Sequence, residues 1–372
     1  MDDRLKDVEE KQSRLRQFMA ERGFDALVIS RRDNFAWITA GGDASVVISD
    51  PMAFASLLFT PDGQYLIAGH QDCPRICDEE ISGQGYQAVS YAWHDSSSLQ
   101  EIQRRTGALR LAADSDLAGA TDVSGELWRL HYPLTALDIA RYRQIGPECD
   151  QLLWDIAHEV RPGMTERQIG ALCQQRYTAA GYLLDVLLIG VDARIARYRH
   201  PSPRDHRLER VALIHPAASK WGLHANITRM LSFGEPPEMT RRAHDTAALI
   251  HSAVMQHLKP GASFAQILTM QKDLYARYAP RPDEWTLHYQ GGITGYILSN
   301  AAMCLDERNV VAQRQAFGYF LTVTGAKVEE LAIVDQGAAE VLSRGVWPQK
   351  RVQTPYGSYE APDLLVIADS HS

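Results

Sequence analysis

Five residues of this chain stand where imidazole or carboxylate chemistry is possible: His200, His215, His224, His288 and Glu329. Imidazole changes charge near neutral pH, so a positioned histidine can take a proton from water and return it to a leaving group. His200 sits in the polar run Arg199-His200-Pro201-Ser202-Pro203, where an exposed structural histidine would be unremarkable. His288 opens His288-Tyr289-Gln290-Gly291-Gly292-Ile293-Thr294-Gly295, whose glycines permit close approach of backbone to a ligand. His215 follows Val211-Ala212-Leu213-Ile214 and reads equally as a satisfied core histidine. His224 lies two residues before Asn226, hence on the same strand face. Glu329 and Glu330 adjoin in an otherwise apolar strand, so they point to opposite faces and at most one lines a cleft. Arg229 fits a structural ion pair or a substrate carboxylate. His244, His251 and His257, in a helical stretch over 237–258, read as a solvated face.

The elements that must position these groups follow from periodicity. Leu5, Val8, Leu15, Phe18 and Met19 have helical spacing, and a buried strand follows at Phe24–Ser30. Pro61-Asp62-Gly63 breaks two apolar runs, which predicts a hairpin over 56–68. Short strands at Tyr86–Trp93 and Leu109–Ala113 complete a small α/β domain, and His131-Tyr132-Pro133 reads as a linker. The expected boundaries are 1–133 and 134–372. A long helix is expected over 138–160, then Arg161-Pro162-Gly163-Met164-Thr165-Glu166, with Thr165 as N-cap of a helix to about Ala179. Lys259-Pro260-Gly261-Ala262-Ser263 repeats the unit 98 residues later, in register with Gln168/Gln266, Ile169/Ile267 and Tyr177/Tyr275. That register favours an internal duplication and a cleft between two αβ halves.

Composition narrows the classes. At 372 residues, 45% apolar and 23% charged, the chain has the makeup of a globular protein of two domains and not of a disordered one. Acidic residues outnumber basic ones, 46 to 38, and no basic cluster suits nucleic acid. Cys73, Cys77, Cys149, Cys173 and Cys304 are scattered, which fits reduced thiols and, with a charged N-terminus and no long apolar run, a cytoplasmic protein off the membrane.

Several segments together resemble the creatinase/prolidase/aminopeptidase P group of the M24, pita-bread superfamily. They are Gly23-Phe24-Asp25-Ala26-Leu27, Asn34-Phe35-Ala36-Trp37-Ile38-Thr39, Pro162-Gly163-Met164-Thr165-Glu166, the Arg199-His200-Pro201 run, Asn226-Ile227-Thr228-Arg229 and Val328-Glu329-Glu330. The resemblance spans nearly the whole chain. It implies an α/β (α+β) fold, with a small N-terminal creatinase-type domain ahead of a pita-bread domain that carries an internal pseudo-twofold duplication. It also implies a homodimer.

The group's peptidases hold two divalent metals with Asp, Asp, His, Glu and Glu, which together generate hydroxide. At those positions this chain places His215, Asn226, Gly292, Thr324 and Glu329. One carboxylate and one imidazole cannot neutralise two dications, so the expectation is no metal and no cofactor. The group's two proton-shuttling histidines match His200 and His288, which implies an acid/base pair like that of metal-free creatinase. Glu329 would orient an imidazole or hold a substrate donor. The two glutamates with which creatinase grips its guanidinium match Thr228 and Thr324, so the substrate expected is a neutral or anionic amide, lactam or imine-like molecule. Catalytic roles thus fall to His200, His288 and Glu329, and substrate binding to His215, His224, Asn226, Thr228, Arg229 and Thr324. The expected activity is metal-independent hydrolysis of a C–N bond in a small molecule. A catalytically inactive binding protein and a mononuclear metal hydrolase using His215, His224 and Glu329 are the alternatives.

Overall fold

Helix α1 (Asp3–Arg22) starts where the Asp2 carboxylate accepts from the Arg4 N–H at 3.1 Å and stops at Gly23, whose φ of +69° suits glycine. The computed structural model describes residues 2–298 and 308–368, so Cys304 lies outside the described residues. Two compact units are formed, Met1–Leu137 with Trp221–Leu223, and Asp138–Lys220 with His224–Ser372.

In the first unit α1 is followed by β1 (Ala26–Arg31), α2 (Arg32–Ile38), β2 (Met52–Thr60), β3 (Gly63–Gly69), α3 (Cys73–Arg75), β4 (Gln87–Tyr91), α4 (Ser98–Thr106), β5 (Leu111–Ala113), β6 (Thr121–Asp122) and α5 (Ser124–His131). The strands form one sheet in the order β4-β3-β2-β1-β5-β6. The hairpin expected at Pro61-Asp62-Gly63 joins β2 to β3, with Thr60 opposite Gly63. His131 and Tyr132 do not form a linker. Both are buried, and the His131 ring packs 4.8 Å from that of Trp37.

The second unit opens with α6 (Ala136–Glu159), α7 (Glu166–Ala179), β7 (Leu183–Val191), α8 (Ala193–Arg197), β8 (Val211–Lys220), β9 (Leu223–Asn226) and β10 (Arg229–Phe233). It continues through α9 (Glu238–His257), α10 (Phe264–Tyr278), β11 (Gly292–Thr294), β12 (Gln315–Val323), β13 (Ala326–Val334), β14 (Glu340–Val341), β15 (Gln349–Thr354), β16 (Gly357–Pro362) and β17 (Leu365–Ile367). One sheet runs β17-β10-β8-β7 and another β11-β12-β13-β14.

The 98-residue repeat in the sequence is a repeat in space. Thr165 caps α7 by accepting from the Gln168 N–H, and Ser263 caps α10 by accepting from the Gln266 N–H. Gly163 and Gly261 have φ of +87° and +82°, a region that glycine enters without strain. Each Gly N–H then reaches across to a distant strand-like segment, Gly163 to the Leu208 carbonyl and Gly261 to that of Val311, at 2.7 and 2.8 Å. Tyr177 and Tyr275 are both buried at the equivalent place below.

Helix α9 departs from expectation. It packs on β12, β13, β15 and β16, and His244 and His251, seven residues apart, are both buried. Among the described residues no helix is long and apolar enough to cross a membrane.

Candidate active site

Strand alternation builds the site. On β13, Lys327 and Glu329 share one face, while Glu330 points to the other. Cross-strand register then sets Thr322 of β12 opposite Lys327, and Phe320 opposite Glu329. The residue after Ile227 completes the arrangement, because Thr228 bridges to Glu329 between the two sheets.

His200 and His288 meet. Their Nε2 atoms are 3.0 Å apart and their rings stand nearly perpendicular, 4.7 Å between centroids. At that separation one nitrogen donates and the other accepts, so the line between them holds a single proton. His288 is the inner member, 7% exposed, with its Nδ1 at 3.2 Å from the Thr322 hydroxyl. His200 is the outer member, exposed to solvent. Tyr289 and Phe320 lie against His288 at ring distances of 4.8 and 4.9 Å.

Burial pushes the His288 imidazole down to about 3, helped by the Lys327 ammonium, His200 and Arg199, with Glu329 opposing. His200 is also lowered, first by desolvation and then by Lys327 and His215; its open face to solvent tempers the effect. Both imidazoles are therefore neutral at neutral pH and able to accept a proton.

A second cluster adjoins this pair. The Glu329 Oε2 atom accepts from the Thr228 hydroxyl at 2.7 Å and lies 2.8 Å from both His215 Nδ1 and Lys327 Nζ. Glu329 and Lys327 are 1% and 4% exposed. Burial would raise the Glu329 carboxyl, but His215 and Lys327 overcome it and hold the group well below the usual range. Burial lowers the Lys327 amine, against the attraction of Glu329. Desolvation lowers His215 as well.

A third cluster surrounds Thr324. Its N–H and hydroxyl donate to Glu284 Oε1 at 2.7 and 2.6 Å, and Arg199 Nη2 reaches the same oxygen at 2.7 Å. Thus Thr228 and Thr324 each donate to a carboxylate that a cation already neutralises. Each of these carboxylates already has a cation of the protein as its partner.

Other expected residues go elsewhere. Arg229 is 1% exposed and locked by Asp150 at 2.9 Å, Glu330 at 3.0 Å and the Ser343 carbonyl at 2.6 Å, with Trp347 against its guanidinium. It is a buried structural cation, not a substrate contact. His224 is committed to the Gly295 carbonyl at 3.0 Å and Asp185 at 3.4 Å, apart from the Glu329 cluster. Asn226 donates to the Leu298 carbonyl at 2.9 Å and presses on Gly318, where a Cβ would come within 2.7 Å of its amide nitrogen. Its Oδ1 is buried with no hydrogen-bond partner among the described residues. Gly292 pairs with Gly318 in β11 and supplies only backbone.

The donor set does not fit the family's metal pair. Of the five residues that the resemblance sets at the ligand positions, Glu329 alone is a carboxylate, and its Oε2 is engaged by an ammonium, an imidazole and a hydroxyl. Among the described residues no three His, Cys, Asp or Glu side chains are grouped to share an ion, so the mononuclear set of His215, His224 and Glu329 is not assembled either.

Lys327, Arg199 and Glu284 are the participants that the sequence alone did not bring forward. The signal for Lys327 was present: a lysine two residues from Glu329 in a strand must share its face.

Residues 140–312 match the family model of metallopeptidase family M24. No curated protein matches by sequence. The structure is similar to the Xaa-Pro dipeptidase from Bacillus anthracis, at 15% identity and a TM-score of 0.76 over 97% of this chain and 100% of that one. It is also similar to dipeptidase PepE from Mycobacterium ulcerans (15% identity, TM-score 0.74, 98% and 99% covered). The N-terminal domain of FACT complex subunit SPT16 from chickpea (Cicer arietinum) aligns at 11% identity and a TM-score of 0.69 over 91% of this chain and 96% of that domain. At such identities the likeness establishes the mixed α/β pita-bread fold.

Proposed function

We propose that this chain, whose second unit belongs to metallopeptidase family M24, is a hydrolase that cleaves a C–N bond of a small peptide-like amide or lactam without a metal ion. The observation that carries the proposal is the His200–His288 pair, Nε2 to Nε2 at 3.0 Å, beside a carboxylate whose Oε2 is engaged by protein groups. The outer imidazole takes a proton from water as the water oxygen bonds to the carbonyl carbon. The inner one, fixed by Thr322, holds the pair in line. When the C–N bond breaks, the proton passes from the imidazole to the leaving nitrogen by general acid catalysis. Glu329 orients His215 and keeps Lys327 charged. Asn226 Oδ1 supplies an acceptor for a substrate N–H.

Xaa-Pro and other dipeptides are the first substrates to try, since similar structures carry those names. Metal-stripped protein would be incubated for hours with dipeptides, small amides and lactams that raise its melting temperature, and the mixtures followed by mass spectrometry. Cleavage by wild type and its loss in His288→Ala supports the proposal. Recovery of every stabilising ligand intact overturns it in favour of a binding module.

A further inference from the structure

Lys327 is a buried cation beside Glu329, which the sequence resemblance sets at a metal-ligand position. Its Nζ lies 2.8 Å from the oxygen of Glu329, the last ligand position that still holds a carboxylate. The Phe320 ring ties it to the histidine pair: Nζ stands 4.8 Å from the ring centroid, and His288 packs on the same ring at 4.9 Å. The register tells the same story, because Thr322, the cross-strand partner of Lys327, holds His288 Nδ1. An ammonium has three N–H donors, and Glu329 is the one hydrogen-bond acceptor recorded for this one among the described residues. A buried charge with unused donors is costly unless a ligand meets it.

We propose that Lys327 is the resident cation of the site, taking over the electrostatic work of the absent metal pair by donating to the carbonyl oxygen of the bound amide. This rests on the acid/base hydrolase reading above. As the water oxygen bonds to carbon, its proton goes to the histidine pair and the carbonyl π electrons move to oxygen, where Lys327 stabilises the oxyanion. Collapse restores the carbonyl, breaks the C–N bond and returns the proton to nitrogen. The lysine gains and loses nothing, so amide and water give acid and amine. Preorganised donors to an oxyanion are worth roughly 10²–10³ in rate.

The test compares wild type, Lys327→Met and Lys327→Arg by histidine-selective NMR titration and by turnover of a dipeptide that the wild type cleaves. Loss of the ammonium should raise the titration of both His200 and His288, and should lower kcat by about 10²–10³ with little change in KM. Lys327→Arg, which keeps a cation, should recover part of the rate. If Lys327→Met does not fold, Lys327→Gln, which removes the charge but keeps a donor toward Glu329, carries the same titration. Unmoved histidine titrations, or full turnover in Lys327→Met while His288→Ala is inactive, overturn the role of the lysine and leave the hydrolase standing. A wild type that cleaves nothing overturns the hydrolase reading itself, and with it the polarising role.

Discussion

His215 and Lys327 converge on one atom, Oε2 of Glu329, each at 2.8 Å, although they come from different sheets. The carboxylate thus joins the two halves through protein charges. His200 and His288 stand Nε2 to Nε2 at 3.0 Å beside it.

The two histidines work as a unit if they share one proton. His200→Ala, His288→Ala and the double variant should each lose a similar two to four orders of magnitude in kcat, because groups that act together are not additive. Losses that multiply in the double variant would contradict the shared-proton pair.

Metal content follows from the donor set. Elemental analysis of purified protein should find well under one equivalent of Mn, Co, Zn or Fe, and EDTA should leave the melting temperature unchanged. Two tightly held equivalents would contradict the assignment of Glu329 to Lys327 and His215.

The Arg229 triad should govern stability and not chemistry. Arg229→Met leaves Asp150 and Glu330 facing each other without their cation, and breaking a buried pair this way costs about 3–5 kcal/mol. Urea unfolding would measure it. An unchanged midpoint would contradict the structural role.

Sequence periodicity made much of this legible. The opposite facing of Glu329 and Glu330 follows from strand alternation alone, and the structure sends one to His215 and the other to Arg229. The Pro-Gly repeat likewise exposed the two halves, because glycine φ and Ser/Thr capping are local requirements. Lys327 was not brought forward although alternation alone puts it on the face of Glu329, since the burial of that face is set by long-range pairing. A strand lysine also reads as solvent-facing until that pairing covers it. The α9 histidines were misjudged because nothing within the helix reveals that the strands packed on it leave His244 and His251 buried.

His251 gives a pH dependence of its own. Burial pushes it down to about 3, below the value of about 6.5 it has when unfolded. The unfolded chain therefore binds more protons between those values, so this stability is complete above about pH 6.5 and is lost as pH falls toward 3. By pH 5 the loss from this one group is about 2 kcal/mol. Urea midpoints at pH 7 and 5 should fall further apart for wild type than for His251→Asn; equal shifts would contradict the assignment.

The most direct measurement is the pH profile of kcat/KM on a cleaved dipeptide or lactam, with EDTA present throughout. Burial and the Lys327 charge depress both imidazoles, so the acid limb should lie below the ordinary histidine value, and activity should persist through neutral pH untouched by the chelator. His288→Ala should abolish that limb along with the rate. An activity that EDTA removes and a divalent metal restores would contradict the histidine-pair account.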